Sequence, residues 1–338
     1  MRVSWSSPLL LSLALCFGSS AEAADRFRDV LDTPAQASAL AAQAPLAALA
    51  RAGGMLVVAG SRGHVLWSGD EGVHWMQAQV PVSSDLVALS FPESENGQLG
   101  WAVGHDGVIL HTEDGGRTWR RQLDGRWTGK LMHEQSGQPA EQGAETPLLD
   151  VCFVDALRGW AVGAFGLILG TEDGGKHWQL ESKQADNPKG LHLYAVRAIA
   201  GQIYIVGEQG LLLRRAADGR FEALPQPYAG TLFGIVGDDK VLLIHGLRGH
   251  ALRSTDGGRN WQPVETGLQV GLTANARAAD GSWLLASQAG HVLVSHDGAL
   301  SFQPLKLARS QPASALLSGS AGLVIAGPRG VLSTTPQP

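Results

Sequence analysis

The fold is decided by Gly100-Trp-Ala-Val-Gly-His-Asp-Gly-Val-Ile-Leu-His-Thr-Glu-Asp-Gly-Gly-Arg-Thr-Trp119, which returns almost unchanged at Gly159 to Trp178. Weaker copies complete a set of seven: Val58 to Trp75, Ile203 to Phe221, Leu243 to Trp261, Leu284 to Phe302 and Val324 to Thr335. A motif that recurs at a regular interval indicates one structural unit stacked on copies of itself.

The spacing of the copies indicates the kind of unit. The second glycine of the Gly-x-x-Gly step marks the register: Gly63, Gly107, Gly166, Gly210, Gly249, Gly290 and Gly330. Successive spacings lie between 39 and 44 residues, except for one of 59. A four-stranded propeller blade takes roughly 40–45 residues. The sequence therefore predicts an all-β fold, a seven-bladed β-propeller of four-stranded blades, with an insertion at about 124–147 between blades two and three.

The third copy outlines a complete blade. Its predicted strands are, from the inside outward, Leu148 to Val154, Gly159 to Gly163, Gly166 to Gly170 and an outer strand that opens at Trp178 to Glu181. Ala164-Phe165 is predicted as a two-residue hairpin loop between glycines. The seventh copy ends before an outer strand. We expect Arg26 to Leu31 to supply it, so that the ring is closed by the N-terminal strand and no sheet edge stays open.

The first residues indicate export. Arg2 precedes an apolar run, Pro8 to Phe17, that is too short to span a bilayer, and Ala21-Glu-Ala23 has the small-x-small pattern of a cleavage site. We expect a signal peptide at 1–23, a single propeller domain at 24–338 and a periplasmic or secreted protein. An uncleaved anchor is the alternative. The net charge of −5 does not favour binding to nucleic acid, which would need a basic domain.

The turn before the last aromatic residue of the repeat is similar to the Asp-box, or BNR repeat, S/T-x-D-x-G-x-x-W. Its aspartates are Asp70, Asp114, Asp173, Asp256 and, in a degenerate copy, Asp297. A carboxylate at this position accepts backbone N–H groups and closes the loop, as in an Asx-turn. A device repeated in this way is what folding requires, so we expect these aspartates to be structural and not catalytic.

With its repeats, leader and Asp-boxes, the chain from about residue 26 onward resembles the photosystem II stability and assembly factor family of Asp-box propellers. The resemblance implies a non-catalytic protein without cofactor that binds another protein. In phototrophs such proteins bind reaction-centre subunits, and similar bacterial proteins accompany RND-type export systems. The expected partner is thus a membrane-complex subunit or an exporter component. The protein is expected to be a monomer and peripheral to the membrane at most.

The Gly-x-x-Gly turns carry the candidate binding residues. Three of these turns have arginine at the same position: Arg62, Arg248 and Arg329. In a propeller these turns share a face with the blade-to-blade connections, and the insertion, with Arg126, Trp127 and Lys130, emerges there too. Assembly factors of the family carry arginines on one face, which the resemblance matches to these positions. We therefore expect this face to bind a protein. The simpler alternative is that exposed arginines only keep the turns soluble.

Two other classes of function compete with this hypothesis. Asp-boxes also occur in sialidases and other glycoside hydrolases, which need an arginine triad, a tyrosine nucleophile and an acid. This chain has three tyrosines and no Arg-Ile-Pro signature before the first blade. A metal site is disfavoured because His64, His250 and His291 do not form a closely spaced ligand motif. Neither a catalytic nor a metal-binding residue is therefore predicted.

Overall fold

The computed structural model describes residue 1 and residues 28–93, 96–136, 146–226, 228–320 and 322–337. Within these ranges the chain forms seven antiparallel sheets, arranged as the blades of a propeller. The predicted seven-bladed, all-β fold is confirmed. The predicted signal peptide lies outside the described residues, apart from Met1.

The first four blades each have four strands. Blade one comprises β1 to β4 (Leu46–Ala52, Met55–Gly60, Val65–Ser68, Met76–Gln77). Blade two comprises β5 to β8 (Leu86–Ser90, Gly100–Gly104, Ile109–Thr112, Arg120–Leu123). Blade three comprises β9 to β12 (Leu148–Phe153, Gly159–Gly163, Ile168–Thr171, Gln179–Leu180). Blade four comprises β13 to β16 (Leu193–Ile199, Gln202–Gly207, Leu212–Arg215, Phe221–Ala223).

The remaining blades complete the ring. Blade five comprises β17 to β20 (Leu232–Gly237, Leu242–Gly246, Ala251–Ser254, Gln262–Val264). Blade six comprises β21 to β24 (Leu272–Arg277, Trp283–Ser287, Val292–Ser295, Gln303–Pro304). Blade seven has three described strands, β25 to β27 (Ala315–Gly319, Gly322–Gly327, Gly330–Thr334). The insertion contributes one helix, α1 (Gly125–Ser136).

The hydrophobic core lies between the blades, because each sheet is apolar on both faces. The second strands are fully buried, as in Gly100–Gly104 and Gly159–Gly163. Trp101 of blade two stacks on Phe153 of blade three with ring centroids 3.5 Å apart. A cluster with Val58 of blade one and Ala326 of blade seven closes the circle. The ring therefore closes by packing of one blade face against the next.

The predicted closure by an N-terminal strand is wrong for the described part of that segment. Val30–Asp32 forms a 3-10 turn, and Leu31 packs in the cluster shared by blades one and two. The Ser83 N–H donates to the Val30 carbonyl over 2.8 Å. Arg26, where the predicted strand begins, lies outside the described residues.

The edge of blade seven is covered by a different segment, the connection from blade six. The Ala308 N–H donates to the Thr335 carbonyl and the Gln337 N–H to the Lys306 carbonyl, over 3.0 and 2.9 Å. The buried amide of Gln311 donates to the carbonyls of Ile325 and Gly330. This connection and the C-terminal residues protect the edge that the N-terminal strand was expected to pair.

Within the described ranges, no helix has the length and apolar character that a bilayer crossing demands.

Candidate functional site

The Gly-x-x-Gly turns and the blade connections occupy one face, which we call the turn face. A Cβ added to Gly63 would meet the carbonyl of Val82, in the connection from blade one to blade two, at 2.1 Å. A Cβ added to Gly249 would likewise meet the carbonyl of Leu268, in the connection from blade five to blade six, at 2.0 Å. Only glycine permits this approach. Because successive strands run in opposite directions, the Asp-box loops lie on the opposite face, which we call the Asp-box face.

In five of these turns, the residue at the same position has a left-handed backbone conformation. The residues and their φ angles are Arg62 57°, Asp106 56°, Phe165 55°, Gln209 52° and Arg248 57°. The two-residue hairpin loop predicted for Ala164-Phe165 is instead a 3-10 turn that includes Gly166. A left-handed residue other than glycine costs roughly 1–2 kcal/mol. Asparagine or glycine would cost less at this position.

The three turn arginines are exposed on the turn face. Arg62, Arg248 and Arg329 form no ion pair with any other described residue. The backbone N–H of Arg62 donates to Asp85, which fixes the turn and leaves the guanidinium in solvent. Blades seven and one are adjacent, so Arg329 and Arg62 occupy neighbouring turns. Arg248 lies two blades from Arg329 around the ring.

The insertion residues are arranged differently. Arg126 forms ion pairs with Asp29 at 3.2 Å and Asp32 at 2.8 Å, so it holds the N-terminal turn. Trp127, with 37% of its surface exposed, lines a cavity of about 300 Å³ at the outer rim together with Lys176 and His177 of an Asp-box. Lys130 is exposed on α1. Ser83, whose N–H donates to Val30 of this N-terminal turn, also lies against Gly63, so Arg126 is held on the side of the propeller that carries the Arg62 turn.

The central channel opens on the turn face, and its mouth is lined by residues of a β-bulge that recurs in the innermost strands. In six blades the pairing of the innermost strand with the second strand shifts by one residue near the start of the innermost strand. The bulged residues are Ala47, Val87, Leu149, Tyr194, Phe233 and Thr273. These side chains, with Ser314 of blade seven, line the channel. A bulge redirects a side chain out of the sheet. Its repetition surrounds the channel mouth with one side chain from each blade.

The channel wall is polar below this mouth. Arg197 donates to the buried carboxylate of Asp150 and, over 2.7 Å, to the Val196 carbonyl. Burial raises the pKa of Asp150, and the Arg197 guanidinium opposes that rise. His245 is fully buried, and burial lowers its pKa to about 4. Its Nδ1 lies 2.9 Å from the Leu272 carbonyl and its Nε2 lies 2.8 Å from the Asn275 amide, which indicates a neutral ring protonated at Nδ1.

The Asp-box carboxylates are engaged in their own loops. Asp114 accepts from the N–H of Arg117 at 3.0 Å and of Thr118 at 2.9 Å, and from the Thr112 hydroxyl at 2.8 Å. The same pattern recurs in four more loops, at Asp70, Asp173, Asp256 and Asp297. Hydrogen bonds that stabilise the charged form lower each pKa, and for Asp256, where the Asn260 N–H contributes most, to about 2. A carboxylate held in this way is a poor general acid, because it stays ionised.

Three aromatic residues on the turn face were not singled out from the sequence. Phe165 has 69% of its surface exposed. Tyr194 and Phe233 meet edge to face at the channel mouth, with centroids 5.7 Å apart. The signal for Phe165 was a large apolar residue between two glycines, where other copies are mostly polar. Tyr194 and Phe233 each follow the leucine that begins an inner strand, a position whose direction depends on the bulge.

Within the described ranges, no group of three or more His, Cys, Asp or Glu side chains is placed to hold a metal ion. The histidines considered above have local environments of their own. His291 Nδ1 lies 3.1 Å from the Ser287 hydroxyl, and the His250 ring lies 4.2 Å from that of Tyr228. Burial lowers the pKa of His64.

The geometry defines a β-propeller with Asp-box loops on one face and a variable face opposite. A sequence profile of the family described as "Photosynthesis system II assembly factor YCF48" matches residues 43–133 and 130–315. Since the match covers most of the chain, the protein belongs to this family.

Individual relatives are distant. The chain is 26% identical over 148 residues to the photosystem II assembly lipoprotein Ycf48 of Synechococcus sp. (strain CC9902), which is 42% of this chain and 44% of the relative. It is 31% identical over 132 residues to the chloroplastic photosystem II stability/assembly factor HCF136 of Arabidopsis thaliana, which is 36% of this chain and 32% of the relative. The matched stretch thus spans less than half the length of these relatives.

Solved structures share the fold. A structure of YCF48 bound to D1 peptide superposes with a TM-score of 0.62 at 18% identity, covering 88% of this chain and 95% of the other. YCF48 from Cyanidioschyzon merolae gives a TM-score of 0.63 at 17% identity, with coverages of 90% and 98%. The WD40 propeller of Doa1 gives a TM-score of 0.64 at 9% identity, with coverages of 90% and 95%. All three likenesses concern the fold alone.

Proposed function

We propose that this protein is a non-catalytic assembly factor that binds a polypeptide segment of a membrane-protein complex through its turn face. One observation supports it above others: the family profile extends over residues 43–315, which is nearly the whole ring. The ring is therefore the part that this protein shares with photosystem II assembly factors. Its partner is a subunit of a membrane complex, a reaction-centre protein in a phototroph or an exporter component elsewhere.

An extracytoplasmic location is part of the proposal. One curated relative is a lipoprotein and another is chloroplastic. The apolar run and small-x-small pattern near the start of the chain agree with export. We propose that the propeller acts as a monomer in the periplasm or an equivalent compartment and contacts the membrane only through its partner.

The exposed charges support the choice of face. Arg62, Arg248 and Arg329 are free of ion pairs with the other described residues, and they project from turns that recur at one position of the repeat. An arginine fork pairs with carboxylates and stacks on aromatic rings, so it suits recognition of a peptide segment. The Asp-box face has carboxylates that are already engaged by backbone N–H groups.

The proposal is tested by removing the three arginines together. Arg62→Ala, Arg248→Ala and Arg329→Ala in one variant should leave the melting temperature nearly unchanged, because exposed turn substitutions cost little. Affinity for the membrane-complex subunit that the wild type captures from solubilised membranes should fall about tenfold or more. The loss should be largest at low salt, where surface charge is least screened.

The matched control removes three positive charges from the Asp-box face. Lys176, Lys240 and Arg259 are exposed there, and the Lys176→Ala, Lys240→Ala, Arg259→Ala variant should bind as the wild type does. Arg117 is a poorer control, because it donates to the Asp114 carbonyl and stacks on Trp67. Equal loss in both triple variants, or no loss in either, would contradict the assignment of the face.

A further inference from the structure

An aromatic sector crosses the turn face from blade three to the channel mouth. It comprises Phe165, His192, Tyr194 and Phe233. The Phe165 ring lies 4.8 Å from the His192 ring, and the Phe165 N–H donates to His192 Nδ1 over 3.3 Å. Tyr194 follows two residues later and meets Phe233 edge to face. The four side chains thus connect an exposed turn to the central opening.

The sector ends at a cavity. Tyr194, Phe233, Thr273 and Pro328 are among the residues that line a volume of about 440 Å³ at the channel mouth. Four of its lining residues also line the polar part of the channel, a volume of about 190 Å³, so the two spaces adjoin. A concave, mainly apolar space with a few polar groups is the usual form of a ligand site.

The turn accounts for the left-handed conformation at position 165, which recurs in four other blades, but not for the choice of phenylalanine there. The residue is left-handed, at φ 55°, yet most of its surface stays in solvent. It therefore carries the steric cost of that conformation without gaining the burial that normally stabilises a phenylalanine. A residue kept in a costly conformation points to function when the outlier itself is observed. A bound partner would bury the ring.

Charge is distributed unevenly around this sector. Glu208 is the carboxylate beside it, and one oxygen accepts the His192 N–H over 2.9 Å. Across the mouth, Arg329 directly follows Pro328 of the cavity wall, and Arg62 lies in the adjoining blade. Acidic groups of a ligand would therefore be repelled near blade four and attracted near blades seven and one. The exposed arginines of the face are thus Arg329 and Arg62 across the mouth and Arg248, which lies in the same blade as Phe233.

We propose that the aromatic sector is the anchor site for apolar side chains in an extended, acidic segment of the partner protein. The segment crosses the channel mouth, with its apolar residues on Phe165, Tyr194 and Phe233 and its carboxylates on Arg329 and Arg62. This inference rests on the proposed function and adds to it the chemical class of the ligand. The arginines alone would select an acidic segment, whereas the sector adds selection for its apolar residues.

The experiment uses two fluorescein-labelled peptides and the full chain. One peptide has a run of glutamates at one end and a pair of phenylalanines at the other, and the second has serines in place of the phenylalanines. Anisotropy titrations should show the phenylalanine peptide binding about tenfold more tightly. Phe165→Asn should remove that advantage without lowering the melting temperature, because asparagine is favoured in the left-handed region. Phe233→Ser should act in the same direction.

The control is Leu300→Ser, which removes an exposed apolar side chain, 59% accessible, from an Asp-box loop on the other face. It should leave both affinities unchanged. The inference is overturned if the wild type binds both peptides equally, or if Phe165→Asn and Leu300→Ser have the same effect. The triple arginine variant separates the two proposals. Binding that depends on the arginines but not on Phe165 rejects the anchor site alone, and the reverse result rejects the arginine part of the proposed function alone.

Discussion

The smallest unit of this fold is a carboxylate that closes a loop. In blade three, Asp173 accepts the N–H of His177 at 2.9 Å, the ring Nδ1 of His177 at 2.6 Å and the hydroxyl of Thr171 at 3.0 Å. The backbone N–H of His177 contributes most to lowering the pKa of Asp173, to about 2. The loop therefore prefers the ionised side chain.

This preference predicts a stability difference that depends on pH. Asp173→Ala should lower the free energy of unfolding by about 1–2 kcal/mol at pH 7, because three hydrogen bonds are lost at a partly exposed site. A carboxylate with a depressed pKa stabilises the fold above its unfolded pKa, ~3.9, and loses that contribution as the pH falls through its folded pKa. The difference between wild type and variant should therefore shrink between about pH 4 and pH 2.

Urea unfolding followed by tryptophan fluorescence at several pH values measures this difference. Glu172→Ala, which changes the exposed neighbour in the same loop, should match the wild type throughout. A constant penalty for Asp173→Ala down to pH 2 would show that the charge of the carboxylate does not stabilise the loop.

Residues differ in how far the sequence alone predicts them. The Asp-box geometry was predictable because the donors lie within four residues of the aspartate, as His177 lies from Asp173. The environment of Phe165 was not, since its contact with His192 joins residues 27 apart in different blades. The ion pairs of Arg126 with Asp29 and Asp32 join residues that lie even further apart in sequence, so the sequence alone did not predict them.

At the scale of elements, strands with their own motif were predicted well. The predicted Gly159 to Gly163 is β10 as observed, and the inner strand ends one residue earlier than predicted, at Phe153. The third strand, predicted from Gly166, begins two residues later, at Ile168, because Gly166 belongs to the 3-10 turn. Arg26 to Leu31 was predicted as a strand, whereas Val30–Asp32 forms a 3-10 turn, because a short segment without the repeat motif offers no register. The α1 helix was not predicted, since the insertion was recognised only by its excess length.

The N-terminal turn supports blades one and two, which leads to a prediction. Leu31→Ala should lower the free energy of unfolding by about 2–4 kcal/mol, because Leu31 is buried in the cluster with Val80, Val82 and Trp119. Arg126→Ala should cost less than about 1 kcal/mol, because its ion pairs are exposed. Chemical denaturation of the two variants measures both values.

A loss for Arg126→Ala as large as that for Leu31→Ala would mean that the ion pairs, and not the apolar contact, hold the turn. Little effect of Leu31→Ala would mean that the N-terminal turn does not support the propeller.

At the scale of the whole molecule, stability depends on how the ring closes. Core clusters join each blade to the next, including blade seven to blade one through Val58 and Ala326. The number of blades was predictable because each blade carries one copy of the repeat. The way the ring closes was not predictable. Residues 306–311 cover the edge of blade seven, and they belong to a connection that carries no repeat motif.

The covering segment is joined to blade seven through a buried hydroxyl. Thr334 Oγ1 accepts the N–H of Arg309 over 3.1 Å and donates to the Arg309 carbonyl over 2.9 Å. Thr334→Val keeps the shape of the side chain but removes both hydrogen bonds and leaves two backbone groups of Arg309 without this partner. We expect the free energy of unfolding to fall by about 1–3 kcal/mol.

Thr335→Val is the matched control, because Thr335 is exposed and takes part in the same edge through its backbone carbonyl. It should unfold as the wild type does. An uncovered edge also offers unpaired N–H and C=O groups to other chains. Thr334→Val should therefore aggregate faster on heating, as light scattering at increasing protein concentration would detect. Equal stability and aggregation of the two threonine variants would show that the 306–311 segment does not protect the ring, and that some other contact keeps blade seven closed.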